Sequence, residues 1–200
     1  MKNHIAIVSV ALCLAACGGS QGSTTSTTST AAEPSREPEH RATETLSAGL
    51  VTPGTPAPEL MIEDQDGRVR QLSDHRGHPV VLYFYPRDAT PGCTAEACAF
   101  RDAWTRLEGA GAIVLGVSTD DAESHRRFRE EHELPFDLLA DVDARVAHEY
   151  GVPVRDGMSS RVTFLIDGTG VVHRVFEDVD PALHANEVIA AIDMMVLDGS

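Results

Sequence analysis

Val80-Val81-Leu82-Tyr83-Phe84 is an unbroken apolar run. Successive side chains of a strand point to opposite faces, so a strand at a sheet surface alternates apolar with polar residues. A run without alternation needs cover on both faces, as in a sheet sandwiched between helices. Ile113 to Val117 is a second run of this kind. Helical stretches lie between and after them: Thr94 to Leu107, a charged segment capped by Asp120-Asp121 and running to His132, Ala144 to Tyr150, and an amphipathic stretch from Pro181 to Leu197. Phe136 to Leu139 is a further short strand. Leu60 to Glu63 and Arg68 to Leu72 flank Asp66-Gly67, and Arg161 to Ile166 and Val171 to Phe176 flank Asp167-Gly168-Thr169-Gly170; both are hairpin signals. The pattern predicts an α/β domain: a central mixed sheet flanked by helices, with an N-terminal hairpin extension.

That domain is expected over residues 51–200. The chain before it has a different character. Lys2 and His4 lead into an apolar run from Ile5 to Leu14, the length of a signal-peptide core. A bilayer span needs about 20 apolar residues, and the chain has no such run. The run ends in Leu14-Ala15-Ala16-Cys17, followed by Gly18-Gly19-Ser20. This ending resembles the lipobox of bacterial lipoproteins. The resemblance implies that residues 1–16 are a signal peptide and that Cys17 is lipidated as the mature N-terminus. Gly18 in place of aspartate implies a cell-envelope lipoprotein sorted to the periplasmic face of the outer membrane. Residues 17–50 then form the lipidated cysteine and its tether, rich in Ser, Thr, Gly, Pro and Glu. Such a segment cannot bury enough surface to offset the entropy of ordering and is predicted to be disordered. As a flexible coil it would reach about 30 Å.

The 31 acidic residues against 16 basic ones give a net charge of -15. This excludes nucleic acid as a partner, because phosphates need a basic surface. It also excludes electrostatic docking on anionic lipid, leaving the N-terminal lipid as the membrane contact.

After processing, two cysteines remain, Cys93 and Cys98, in the segment PRDATPGCTAEACAFRD. The segment follows a buried strand and opens a helix. Strand ends are where open α/β sheets bind ligands. A helix N-terminus offers unpaired N–H groups and a partial positive charge, which favour a thiolate. Cys93 is therefore a candidate nucleophile. In an intact helix, residues five apart lie about 8.7 Å from Cα to Cα, from the rise and radius of the helix. A disulfide needs less than about 7 Å. Cys93 and Cys98 cannot bond while the helix between them is intact.

Pro86-Arg87-Asp88-Ala89-Thr90-Pro91-Gly92-Cys93 matches the pattern P-x-x-x-T-x-x-C, and Gly92 to Cys98 is followed by Phe100-Arg101-Asp102. These motifs resemble the peroxiredoxins, and within them the Q-type subgroup, the bacterioferritin comigratory proteins. Arg161 to Asp167 resembles that family's arginine strand, and Gly54 to Pro58 its opening segment. The likeness covers residues 53–197 and implies a thioredoxin-like fold. It implies a thiol-dependent peroxidase acting on hydrogen peroxide and organic hydroperoxides. Cys93 would become a sulfenic acid, which Cys98 resolves as a Cys93–Cys98 disulfide. Thr90 would donate its hydroxyl to align thiolate and peroxide, and Arg161 would supply fixed donors and a permanent charge. Pro86 would shield the pocket, with Gly92 and Glu96 in support. The partners implied are a peroxide and a thioredoxin-like dithiol reductant, and the chain would be a monomer.

Two other activities of a thioredoxin-like fold fit less well. A membrane-tethered thiol–disulfide oxidoreductase needs C-x-x-C, and a copper-delivery protein needs C-x-x-x-C with a distal histidine. In a non-enzymatic lipoprotein the motif would be a relic, against which the intact Thr90, Cys93 and Arg161 argue. Of the histidines in the domain (His75, His78, His125, His132, His148, His173 and His184), none stands at metal-ligand spacing with another. No metal and no cofactor are expected, and the histidines read mostly as surface residues.

Overall fold

The computed structural model describes residues 49–197. The expected signal peptide, Cys17 and the tether up to residue 48 lie outside the described residues.

The strands are β1 (Met61–Glu63), β2 (Val69–Gln71), β3 (Val80–Phe84), β4 (Ile113–Ser118), β5 (Asp137–Ala140), β6 (Val154–Arg155), β7 (Met158–Ser159), β8 (Val162–Ile166) and β9 (Val172–Phe176). The helices are α1 (Pro91–Asp102), α2 (Trp104–Gly109), α3 (Ala122–Glu131), α4 (Arg145–Glu149) and α5 (His184–Leu197). Five strands form the central sheet in the order β5-β4-β3-β8-β9. β3, β4 and β5 run parallel, while β8 is antiparallel to β3 and β9 to β8. This is the mixed sheet of a thioredoxin-like fold. The apolar run 80–84 is its central strand, and every residue of β3 is buried. Its side chains feed two cores. Val81 and Tyr83 face a core shared with Phe100 of α1, Phe128 of α3 and Ile189 of α5. Val80, Leu82 and Phe84 face the other, with Leu60, Leu72, Val146 and Tyr150. Gly116 in β4 is small for a packing reason: a Cβ there would lie 2.7 Å from the Tyr83 hydroxyl.

Both expected hairpins form. β1 and β2 pair as a separate two-stranded sheet around Asp66-Gly67. Between β8 and β9 the Asp167 carboxylate accepts from the N–H groups of Thr169 and Val171, each at 2.9 Å, which closes the turn. Asp121 caps α3, accepting from Ser124 N at 2.8 Å.

Four features differ from expectation. Helix α1 starts at Pro91 rather than Thr94, because Thr90 supplies the extended N-cap and the fixed φ of proline suits the first helical position. The helix also ends at Asp102, and α2 is a separate piece after Ala103 (φ -90°, ψ 1°). Asp156-Gly157 turns a third, two-residue hairpin between β6 and β7, using the same Asp-Gly signal as β1–β2. Finally, His125 and His184 are fully buried, not on the surface. His125 shares a helix face with Phe128, and His184 is in line with Val188 and Met195, so both belong to apolar stripes.

Candidate active site

The buried strand β3 delivers the chain to the turn 86–90, and the turn delivers it to α1. Cys93 is the third residue of α1 and is 2% exposed. The first i→i−4 bond of the helix runs from Thr94 N to Thr90 O at 2.8 Å. The N–H groups of Gly92 and Cys93 precede it, so the thiol sits in the electropositive first turn.

Arg161 stands one residue before β8, which pairs with β3, so the sheet register carries it to the same end. Its Nη2 donates to Cys93 Sγ at 3.3 Å, and its Nη1 donates to Glu96 Oε2. Glu96 lies one turn along α1 from Cys93 and has no solvent exposure. Burial pushes its carboxyl up to about 7, against the opposing pull of the Arg161 guanidinium. Its second oxygen, Oε1, has no hydrogen-bond partner among the described residues. The result is a chain of polar contacts, Glu96 to Arg161 to Cys93. Gly92 adjoins it: a Cβ at that position would stand 3.5 Å from Arg161 Nη2, an ordinary van der Waals contact.

The remaining expected residues lie around this centre. Thr90 is the N-cap of α1, and its hydroxyl donates to the Arg87 carbonyl at 3.1 Å. Pro86 is half-buried at the start of the turn. Cys98 is a free thiol, as is Cys93. It is half-buried and lines an open groove of 530 Å³ with Asp102, Arg106, Ala182 and Asn186, between α1 and the start of α5. Cys93, Arg161, Glu96 and Gly92 are thus brought together, while Cys98 opens onto the groove.

A second polar cluster escaped the sequence reading. Asp88, in the turn, accepts from the Tyr85 hydroxyl at 2.7 Å and the Ser124 hydroxyl at 2.8 Å, and faces the His125 ring at 2.9 Å. The available signal was the helical spacing of His125 and Phe128, which puts both on the inward face of α3.

Residues 53–175 match the AhpC/TSA family. Peroxiredoxin Q of wheat chloroplasts (Triticum aestivum) is 43% identical over 159 residues, covering 78% of this chain and 73% of the relative. A bcp peroxiredoxin from Coxiella burnetii is 43% identical over 146 residues, covering 70% of this chain and 97% of the relative. The crystal structure of the peroxidoxin BcpB from Mycobacterium tuberculosis superposes with a TM-score of 0.68 at 34% identity, covering 72% of this chain and 97% of that one. A buried cysteine in the first turn of a helix, an arginine donating to its sulfur and this degree of similarity lead to one conclusion: the chain belongs to the peroxiredoxins of the AhpC/TSA family, in the Q or bacterioferritin-comigratory branch, and is a thiol-dependent peroxidase.

Proposed function

We propose that Cys93 is the peroxidatic residue and Cys98 its resolving partner. The observation that carries this reading is the 3.3 Å contact from Arg161 Nη2 to Cys93 Sγ in the first turn of α1. The Cys93 thiolate attacks one oxygen of the peroxide, the O–O bond breaks, and the leaving alkoxide or hydroxide takes a proton. Sulfur is oxidised to sulfenic acid and the peroxide is reduced to an alcohol or water. Arg161 is a fixed donor that holds the thiolate and stabilises negative charge on the oxygens as it develops. Thr90, at the mouth of the turn, turns its hydroxyl from the Arg87 carbonyl to the bound peroxide. Pro86 limits water, and Glu96 fixes the guanidinium.

Cys98 then attacks the sulfenic sulfur, water leaves, and a disulfide forms. Both cysteines lie within α1, so about 8.7 Å must shrink below about 7 Å, and the helix between them unwinds. A thioredoxin-type dithiol reduces the disulfide and restores the resting enzyme. Hydrogen peroxide and organic hydroperoxides are the substrates, and the enzyme works as a monomer.

Two variants test the roles. Cys93→Ser should abolish peroxide consumption. Cys98→Ser should react with one equivalent and then stop as sulfenic acid, or overoxidise in excess peroxide. A Cys93→Ser protein that still turns over, beside an inert Cys98→Ser protein, reverses the assignment.

The address is a separate part of the reading, supported by Leu14-Ala15-Ala16-Cys17 after a signal-like start. The mature protein is a lipoprotein beginning at Cys17, anchored at the periplasmic face of the outer membrane. Cell fractionation should find the native chain with membranes and the Cys17→Ser chain released or unprocessed. An intact mass for an unmodified chain starting elsewhere defeats it.

A further inference from the structure

His125 and Asp88 are both buried, one in α3 and the other in the turn before α1. His125 Nε2 lies 3.1 Å from the Leu139 carbonyl oxygen of β5, and a carbonyl only accepts, so Nε2 carries a proton. His125 Nδ1 lies 2.9 Å from Asp88 Oδ2. Burial works to raise the Asp88 pKa, but bonds from His125, Tyr85 and Ser124 hold it below the usual carboxylate value. Asp88 accepts from the Tyr85 hydroxyl through Oδ1 and the Ser124 hydroxyl through Oδ2, so hydrogen bonding places the proton between the two groups on Nδ1. Both ring nitrogens of His125 thus face oxygen acceptors, one in the turn and one in β5, and the ring bridges the two. The groups that face it are Tyr85 of β3, at 3.3 Å, Asp88 of the turn and the Leu139 carbonyl of β5.

The same turn is fixed through its backbone. Asp88 N donates to Asp120 Oδ2 at 2.8 Å, and that oxygen also accepts from the Ser118 hydroxyl at 2.8 Å. The next residue, Ala89, has φ 55°, in the left-handed region. A residue with a Cβ is disfavoured there, and such a conformation persists where its surroundings over-determine it. Thr90, the N-cap of α1, follows at once.

We propose that the Asp88–His125 hydrogen bond is a positioning device that holds the left-handed turn at Ala89, keeps α1 wound from Pro91, and so sets the ratio of wound to unwound active site. Neither residue touches the peroxide; both act through the backbone. The inference rests on the two-cysteine reading above. The wound form is the major state, so loosening it tenfold barely changes its population but raises the unwound form tenfold. The unwound form is the one in which Cys98 reaches the sulfenic acid. The wound form is the one in which a second peroxide overoxidises it.

The test uses the full chain with His125→Leu, which removes both donors, and His125→Asn, which keeps a donor toward Asp88 and loses the one toward Leu139. Stopped-flow fluorescence of Trp104, two residues beyond the end of α1, follows the peroxide and disulfide steps. In His125→Leu the disulfide step should quicken about tenfold, and sulfinic acid formed per turnover in excess peroxide should fall by a similar factor. The first peroxide step should change less than about twofold. His125→Asn should show the same directions with smaller shifts. A role in stability alone would lower the melting temperature and leave the partition between disulfide and sulfinic acid unchanged; an unchanged partition in either folded variant overturns the proposal. Ring ¹⁵N shifts of His125 in the unmodified reduced protein provide a second criterion: an Nδ1 that carries no proton overturns it even if neither variant folds. If the unmodified protein forms no Cys93–Cys98 disulfide with peroxide, it is the two-cysteine reading that has failed.

Discussion

Glu96 has to be ionised to grip Arg161 fully, and burial opposes that. Its carboxyl, pushed up to about 7 by burial, binds a proton in the folded protein that the unfolded chain has released by about pH 5. Between these limits the folded state holds more protons than the unfolded state. Stability from this group is complete at pH below the unfolded value and is lost as pH rises through about 7. The loss is on the order of 3 kcal/mol. Glu96→Gln removes the titration. The stability of the glutamine variant relative to the native reduced protein should therefore rise by that amount from pH 4.5 to pH 8. Urea unfolding at both ends of the range measures it, and a difference independent of pH refutes it. The peroxide step has the opposite trend, because ionised Glu96 anchors the guanidinium that holds Cys93. At this scale the sequence was informative where a motif spelled out the residue type and position. Cys93, Glu96 and Arg161 meet in the fold, although 68 residues separate Cys93 from Arg161. Asp88 and His125 were missed because a lone histidine in a charged stretch of helix looks solvated until the helix face is counted.

Strands were easier to read than helix ends. β3 falls on the unbroken apolar run because burial on both faces leaves no room for polar residues. The start of α1 was misplaced because Pro91 and Gly92 suggest a loop, while a proline at the first helical position costs no hydrogen bond. The earlier start strengthens the central structural expectation, since Cys93, in the first turn, and Cys98 lie within one helix. Oxidation should therefore abolish the protection of amides 94–100. Phe100 limits how far the change spreads: it is fully buried, with its ring 5.0 Å from that of Tyr83. The break at Ala103 separates α1 from α2, so the amides of α2 should keep their protection. Hydrogen exchange on reduced and oxidised protein is the measurement, with β3 and β8 as unchanged references. Equal protection of 94–100 in both states would mean that the disulfide forms within an intact helix, contrary to the helix geometry.

For the molecule as a whole, the composition shift near residue 50 suggested where the domain begins, and hydrogen bonds hold the first described residues after that point. The segment from Val51 to Pro58 contains little regular structure, yet it is tied down along its length. Val51 N donates to Tyr150 O at 3.1 Å, Gly54 N to Val172 O at 2.8 Å, and Ala57 N to Gly170 O at 2.9 Å. Val172 N donates back to Thr55 O at 2.9 Å, and the Tyr150 hydroxyl donates to Pro58 O at 2.7 Å. Leu50, Val51 and Ala57 also pack against the core that lies under β3 and β8. The segment thus links the end of α4 to the turn end of the β8–β9 hairpin. A chain beginning at residue 49 should melt with the full-length protein and reduce peroxide at the same rate. A chain beginning at residue 59 loses these five bonds and the packing of three side chains. At about 1 kcal/mol for each bond, it should be less stable by roughly 5 kcal/mol, a large share of the stability of a domain this size. Urea unfolding of the two truncated proteins beside the full chain decides the matter. A marked loss in the chain from residue 49 would mean that residues before it contribute to the folded domain, and the boundary would have to move toward the N-terminus.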